Sequence, residues 1–541
     1  MLVRVEAPPA VKKHVPIDLV ALLDVCGSMN TEVAKNTITR LDLLKKAMKF
    51  VIKHLHDDDE LAIVPFNEKI LTNHTTDLFR ISGQRMFAQN KVDKLMAKGD
   101  TAFGPALEQA VKILDGRTDK KRVGVIMLLS DGLDSRKAAM YPVRAEVLKK
   151  YPVHTFGICA HDPNVLLSIS QQSCGTYSFV DDKELGKIAD AFAVFLGGLS
   201  SIVAVDVVIS ISSYRTWRSE VKRIGCGFES REITQPDAVP NSNNNDWKKA
   251  EIRIGMLYAG EVKNFIAYFQ IEPNTTPTNY VWLEITYKDT PDGSSIAGDG
   301  HRVYLSTGKQ AGDSEENSLM VREQIVQFSA MNFLSTLLTE FNNQKNTAGN
   351  HKRDRDAGDA QIHAGSTLET QWAEFIETMD DDLMDDLDLD DLEKEVQEMV
   401  SRLKSGAGMS YMCSWVSSQQ MQRATTLGSV DTVGTQFFTP AMDMMLHESK
   451  KYHVQSLSPQ EGGGGGGGGG ASASASAIAI TGLAQRVAAW SKLKGQAQGI
   501  FSSKPMDTDL EAVWKDFETA INKAMSQDIN MVLFLTTIAS A

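Results

Sequence analysis

The run Ile17-Asp18-Leu19-Val20-Ala21-Leu22-Leu23, followed by Asp24-Val25-Cys26-Gly27-Ser28-Met29, decides how the rest of the chain is read. Apolar residues end in a carboxylate and small side chains, and a helical pattern follows. A buried strand that ends this way presents its polar residues at the rim of an open α/β sheet, where such sheets place their ligand crevice. Asp24 and Ser28 offer hard oxygens suited to Mg²⁺, Mn²⁺ or Ca²⁺, whereas the sulfur of Cys26 between them is a soft donor. The stretch points to a metal site and questions it at one position.

Outward from this stretch, apolar runs alternate with amphipathic ones from about residue 16 to 200. Strands are expected at 17–23, 61–66, 122–129, 153–159 and 176–180. Helical spacing separates them, as in Leu41, Leu44, Ala47, Met48, Val51, Ile52 and Leu55. This predicts a doubly wound, mostly parallel α/β sheet covered by helices on both faces. From about 201 to 312 the pattern changes to period two (Val203, Val205, Val207, Ile209) with Pro-, Asn- and Gly-rich turns, the signature of an antiparallel β-sandwich. Residues 313–405 read as a helical hairpin, its first helix carrying Val321 to Phe341. Its second carries Trp372, Phe375, Met379, Leu383, Leu387, Val396 and Leu403. An irregular segment is expected at 406–460 and a Gly/Ala/Ser linker at 461–480. A helical segment at 481–541 bears the apolar stripe of Leu510, Val513, Trp514, Phe517, Ile521 and Met525.

Composition narrows the function. At 541 residues the chain exceeds what one core supports. Its net charge of −13 argues against a nucleic-acid binder, whose footprint is basic. No apolar run approaches the roughly 20 residues of a membrane span, and the N-terminus lacks the apolar core of a signal peptide. The cysteines at 26, 159, 174, 226 and 413 are scattered with no C-x₂-C pair, which excludes a RING or zinc-finger framework in these residues and fits a reducing compartment, the cytosol by default. There is no G-x-S-x-G elbow, P-loop or H-E-x-x-H, so the chain is read as non-enzymatic. His154 and His161 read as loop or surface residues. The acidic run 380–391 lacks the glycine of a Ca²⁺ loop and carries Leu383 and Leu387 at helix spacing, which makes it a solvated helix face.

Three pieces fall near the same sheet edge: Asp24-Val25-Cys26-Gly27-Ser28, Gly99-Asp100-Thr101 before a helix opening at Pro105, and Ser130-Asp131-Gly132. Among them Asp24 and Asp131 supply two carboxylates and Ser28 and Thr101 two hydroxyls, enough to hold a hard dication with water completing its shell. Taken in order, the set resembles the metal-ion-dependent adhesion site of von Willebrand factor type A domains, whose pattern is D-x-S-x-S, then Thr, then Asp. The resemblance implies a Rossmann-like fold. It makes Ser28 and Thr101 ligands, directly or through water, while Asp24 and Asp131 act largely through water. Cys26 stands where the family has its first Ser. That position admits a tolerated substitute, a degenerate site or a reactive thiol. Val15 to Val20, Asp134, Gly175-Thr176-Tyr177-Ser178-Phe179, Gly197-Gly198-Leu199-Ser200 and Ser417-Ser418…Gln422-Arg423-Ala424-Thr425 resemble a plant branch of these proteins, some of whose members carry a RING and look like ubiquitin ligases.

The resemblance implies a type A domain at 1–200 that binds an acidic side chain of a protein partner through Mg²⁺ or Mn²⁺, with the ion weakened by Cys26. Its alternative is a substrate adaptor in a ubiquitin-ligase complex without ligase activity of its own.

Overall fold

The computed structural model describes residues 1–456, except 10, 12–13, 34–37, 132–142, 159–162, 182–187, 215–218, 226–229, 235–246, 272–279, 290–292, 294, 299, 305–314, 348–353, 406–407 and 429–436. The expected linker and C-terminal helical stripe lie outside the described residues, as do Gly132, Asp134 and His161.

Strand β1 (Leu2–Glu6) opens the chain, followed by β2 (Ile17–Asp24), β3 (Glu60–Phe66), β4 (Phe79–Arg80), β5 (Val123–Ser130), β6 (Val153–Ile158) and β7 (Tyr177–Val180). Between and after them run α1 (Arg40–His54), α2 (Arg85–Asp93), α3 (Phe103–Asp115), α4 (Ala145–Leu148), α5 (Pro163–Gln172) and α6 (Ile188–Ser200). The strand order β7-β6-β5-β2-β3-β4 is parallel except for β4. Every residue of β2 and β5 is buried, as the continuous apolar runs require. Ile17, Leu19, Ala21 and Leu23 pack with α1 and α6 on one face, and Val20 and Leu22 pack with α3 and α5 on the other. From β2 the chain goes out to β3 on one side and later crosses to β5 on the other. A topological switch point therefore lies between the carboxyl ends of β2 and β5, where α/β sheets bind ligands.

The next region holds β8 (Ile202–Tyr214), β9 (Ser219–Gly225), β10 (Ser230–Thr234), β11 (Trp247–Tyr258), β12 (Val262–Ile271), β13 (Tyr280–Lys288), β14 (Ile296–Ala297) and β15 (His301–Tyr304). They form two antiparallel sheets, one ordered β10-β11-β8-β13 with β14 and β15 on β13, the other β1-β12-β9. Strand β1, counted with the first domain on sequence, pairs instead with β12 from Leu2↔Ile266 to Glu6↔Val262. The period-two reading of β8 holds with one interruption. Asp206 has φ 52°, Gly255 on β11 has φ 78°, and the register shifts beside them. This bulge turns Val205 toward the first domain while Val207, Ile209 and Ile211 face the sandwich core with Val3, Ile252 and Phe265.

The helical region comprises α7 (Glu315–Thr347), α8 (Asp354–Glu377), α9 (Asp381–Met384), α10 (Asp390–Ser405), α11 (Gly408–Met421) and α12 (Pro440–Ser456), with β16 (Leu427–Gly428) between the last two. Two expectations are corrected here. The second helix of the hairpin is divided, because the acidic run breaks it. The Asp380 carboxylate accepts from the Asp382 N–H, Asp388 from the Asp390 N–H, and Asp386 sits at φ 58°. The described part of the segment expected to be irregular is mostly helix. Helix α11 is buried almost all round, its serines and Gln419 included, so it shows no apolar stripe to read.

The end of α11 ties the regions together. Ser414 Oγ donates to Tyr177 O (3.1 Å) and Thr426 O (2.8 Å), Ser417 Oγ accepts from Tyr177 N (2.8 Å), and β16 joins β7 in parallel. Arg423 makes two bonds to Glu261, Nε to Oε1 at 2.7 Å and Nη2 to Oε2 at 3.0 Å, and lies over the Tyr258 ring. Lys263 Nζ donates to the carbonyls of Met421 and Gln422. All three charges are buried, and the two cations hold the Glu261 carboxyl below its usual range against the opposing effect of burial. Removing one member of such a pair strands the other, so Arg423→Ala should cost about 3–5 kcal/mol. Chemical denaturation should show it as an earlier transition, with Arg423→Ala/Glu261→Ala costing less than the sum of the single variants.

Candidate functional site

The β2–β5 switch point is built by backbone first. The Val25 N–H donates to Phe66 O (2.8 Å) and the Lys98 N–H to Val25 O (2.7 Å), while Gly27 N–H donates to Gly99 O (2.7 Å). Residues 27–30 form a 3₁₀ turn. Gly99 has φ +87°, and a Cβ there would meet the Glu68 carboxylate at 2.1 Å, so glycine alone fits. Asn67 Nδ2 donates to Lys98 O and the Asp100 N–H donates to Glu68 Oε2, pinning the loop that carries Thr101 against the end of β3.

The structure brings the predicted residues together. One side-chain ligand atom each of Asp24, Cys26 and Asp131 lies within 4.8 Å of the others. Asp24, Cys26, Thr101 and Asp131 are buried, and Ser28 is half-buried at the mouth. Asp24 is oriented by two donors, the Cys26 N–H (2.9 Å) on Oδ1 and Ser130 Oγ (2.5 Å) on Oδ2. Burial, aided by the nearby Asp131 charge, pushes the Asp24 carboxyl up to about 6. Cys26 Sγ lies 3.0 Å from Ser28 Oγ. Burial first, then the Asp24 charge, pushes its thiol up to about 12.

Sequence reasoning missed Arg40. It is buried as the first residue of α1, and its Nη1 donates to Asp131 Oδ2 at 2.8 Å. The signal was there. A cation in the first turn of a helix faces the positive end of its dipole and needs a compensating acid. His154, expected at the surface, is a buried residue of β6 whose Nδ1 lies 2.8 Å from Thr176 Oγ1. Burial brings its imidazole down to about 3, so it stays neutral and structural. Among the described residues, the acidic run brings no three ligand atoms together as Asp24, Cys26 and Asp131 do.

The donor set divides when tested against a hard dication. The oxygens of Asp24, Ser28, Thr101 and Asp131 fit Mg²⁺ or Mn²⁺, whereas a neutral thiol contributes little to a hard ion. A thiol held so far from its thiolate is also a poor nucleophile. Iodoacetamide at mildly alkaline pH should leave Cys26 unmodified in the native protein and label it on unfolding, as read by peptide mapping.

Comparisons with known proteins bear on the fold that carries this site. The family described as von Willebrand factor type A domain matches residues 17–179. An E3 ubiquitin-protein ligase of Arabidopsis thaliana, WAV3, is 25% identical over 304 residues, covering 52% of this chain and 36% of the relative. Protein YfbK of Escherichia coli (strain K12) is 27% identical over 247 residues, covering 44% of this chain and 40% of the relative. The chain thus spans less than half the length of these curated relatives. A solved von Willebrand factor type A structure from Catenulispora acidiphila superposes with a TM-score of 0.51 at 16% identity, covering 77% of this chain and 96% of that one. Residues 17–179 of this chain match the von Willebrand factor type A domain family and carry its fold, with Asp24, Cys26, Ser28, Thr101 and Asp131 at the β2–β5 switch point.

Proposed function

We propose that this chain is a non-catalytic protein-interaction protein whose type A domain receives an acidic side chain of a partner at the β2–β5 crevice. The observation that carries the reading is the convergence of Asp24, Cys26 and Asp131 there, with Ser28 and Thr101 placed against Cys26. Asp24, Ser28, Thr101 and Asp131 would hold Mg²⁺ or Mn²⁺. When bound, the ion supplies the positive charge that a partner carboxylate completes. Ser130 and the Cys26 N–H fix the Asp24 carboxylate, and Ser28 sits at the mouth where a partner arrives. The oxygens are oriented for ligation, and no described group beside them is set up as a base or nucleophile.

No described helix is long and apolar enough to cross a membrane. Cys26, Cys174 and Cys413 are free thiols, which supports placing the chain in a reducing compartment, the cytosol. A second reading, substrate adaptor in a ubiquitin-ligase complex, is favoured by the names of the Arabidopsis relatives, WAV3 and WAVH1.

Two outcomes are expected. Immobilised chain retains its physiological partner in Mg²⁺ and releases it in EDTA, and in Mg²⁺ Asp131→Ala retains at least tenfold less partner than wild type. Retention under both conditions, read by quantitative mass spectrometry of the bound fraction, removes the metal from the reading. The isolated chain, incubated with activating and conjugating enzymes and ubiquitin, forms no ubiquitin conjugates, whereas the adaptor reading requires an active ligase to co-purify with it.

A further inference from the structure

We propose that Arg40 is a built-in cation that competes with a divalent ion for Asp131 and so sets how readily the site loads. This deepens, and rests on, the metal-dependent reading above. The Arg40 guanidinium contacts Asp131 at 2.8 Å, and both side chains are buried. Their attraction is therefore poorly screened. The same carboxylate oxygens are the ones an incoming dication needs. A guanidinium beside Asp131 both occupies one of them and repels a second positive charge.

Two further observations argue that this contact is an exchangeable partner rather than a fixed part of the core. Arg40 Nε is buried without a hydrogen-bond acceptor among the described residues. An arginine built purely as a structural strut satisfies its donors, because a buried unpaired one costs about 1–3 kcal/mol. The same residue begins α1, where the helix dipole repels a cation. The Thr39–Asp42 capping box holds the helix start independently of Arg40, since Asp42 N donates to Thr39 Oγ1 and Thr39 N to Asp42 Oδ2. The guanidinium can leave Asp131 without undoing the helix. Of the carboxylates at the site, Asp24 is satisfied by Ser130 and the Cys26 N–H. Asp131 is thus the one whose positive partner an ion would replace. Cys26 and Arg40 act in the same direction: one removes a hard ligand and the other fills its place with charge.

The test is calorimetric titration of Mn²⁺ into the full chain and into Arg40→Gln, Cys26→Ser and the double variant. The competition requires Arg40→Gln to bind Mn²⁺ at least tenfold more tightly than wild type, with a gain of similar size in the Cys26→Ser background. If Cys26→Ser gains affinity and Arg40→Gln does not, the competition is overturned while the metal site stands. If none of the four binds Mn²⁺, the metal reading falls as well. Thermal melting supplies a second readout, the rise in melting temperature on adding Mn²⁺. That rise should be larger for Arg40→Gln than for wild type, whereas loss of a purely structural arginine lowers the melt equally with and without Mn²⁺. An Arg40→Gln chain that needs Mn²⁺ to refold supports the proposal equally, and one that Mn²⁺ fails to rescue overturns it.

Discussion

The buried pair of Glu261 and Arg423, with Lys263 beside it, is the interaction on which the arrangement of the described regions depends. Glu261 lies between β11 and β12 of the sandwich, Lys263 on β12, and Arg423 on the segment that leaves α11. A guanidinium and carboxylate paired in fork geometry fix distance and angle together, so the strand that follows has little freedom. Three residues later Thr426 accepts from Phe179 N, and Leu427–Gly428 extend the type A sheet beside β7. Burying these charges is not in itself a source of stability, since ion pairs in an apolar setting roughly offset their desolvation. What they contribute is register. A slip of this segment would take the Arg423 guanidinium from Glu261 and leave the carbonyls of Met421 and Gln422 without the Lys263 ammonium. Each such loss costs more than the paired state gains.

The same principle shapes the switch point. A buried carboxylate away from water must be neutralised, hydrogen-bonded or paired. Asp24 takes two donors and is drawn toward the protonated form, and Asp131 takes Arg40. At the opposite end of β2, Asp18 is buried and paired with Arg122 and Arg117. The two ends of one strand therefore carry chemically similar acids with different consequences. Position relative to the crossover, rather than residue type, separates the structural acid from the candidate ligand.

This explains what could and could not be read from residues alone. The parallel sheet was legible because strands covered on both faces must be continuously apolar, and the runs at 17–23 and 123–129 are. Asp24, Ser28, Thr101 and Asp131 were legible because each ends a strand or opens a helix at a spacing that a switch point explains. Strand β1 was not, since five residues with no pattern beyond alternation can add to any free edge, and β12 offered one some 260 positions away. Helix α11 was hidden by its own burial, which removes the polar face that makes periodicity visible. Arg40 gave only the signal of a cation in a helix's first turn, which does not say which acid compensates it, and Asp131 lies 91 positions along the chain.

The protein's own donors also account for how Cys26 can stand where a hydroxyl is usual. Its buried sulfur lies 3.0 Å from Ser28 Oγ and beside the Asp24 carboxylate, a place a hydroxyl would also fill. Its backbone N–H, the part that orients Asp24, is common to every residue but proline. The turn thus keeps its geometry whether position 26 is Ser or Cys. Ser130 and Arg40 likewise satisfy the two carboxylates from within the chain, so position 26 is not asked to compensate either charge.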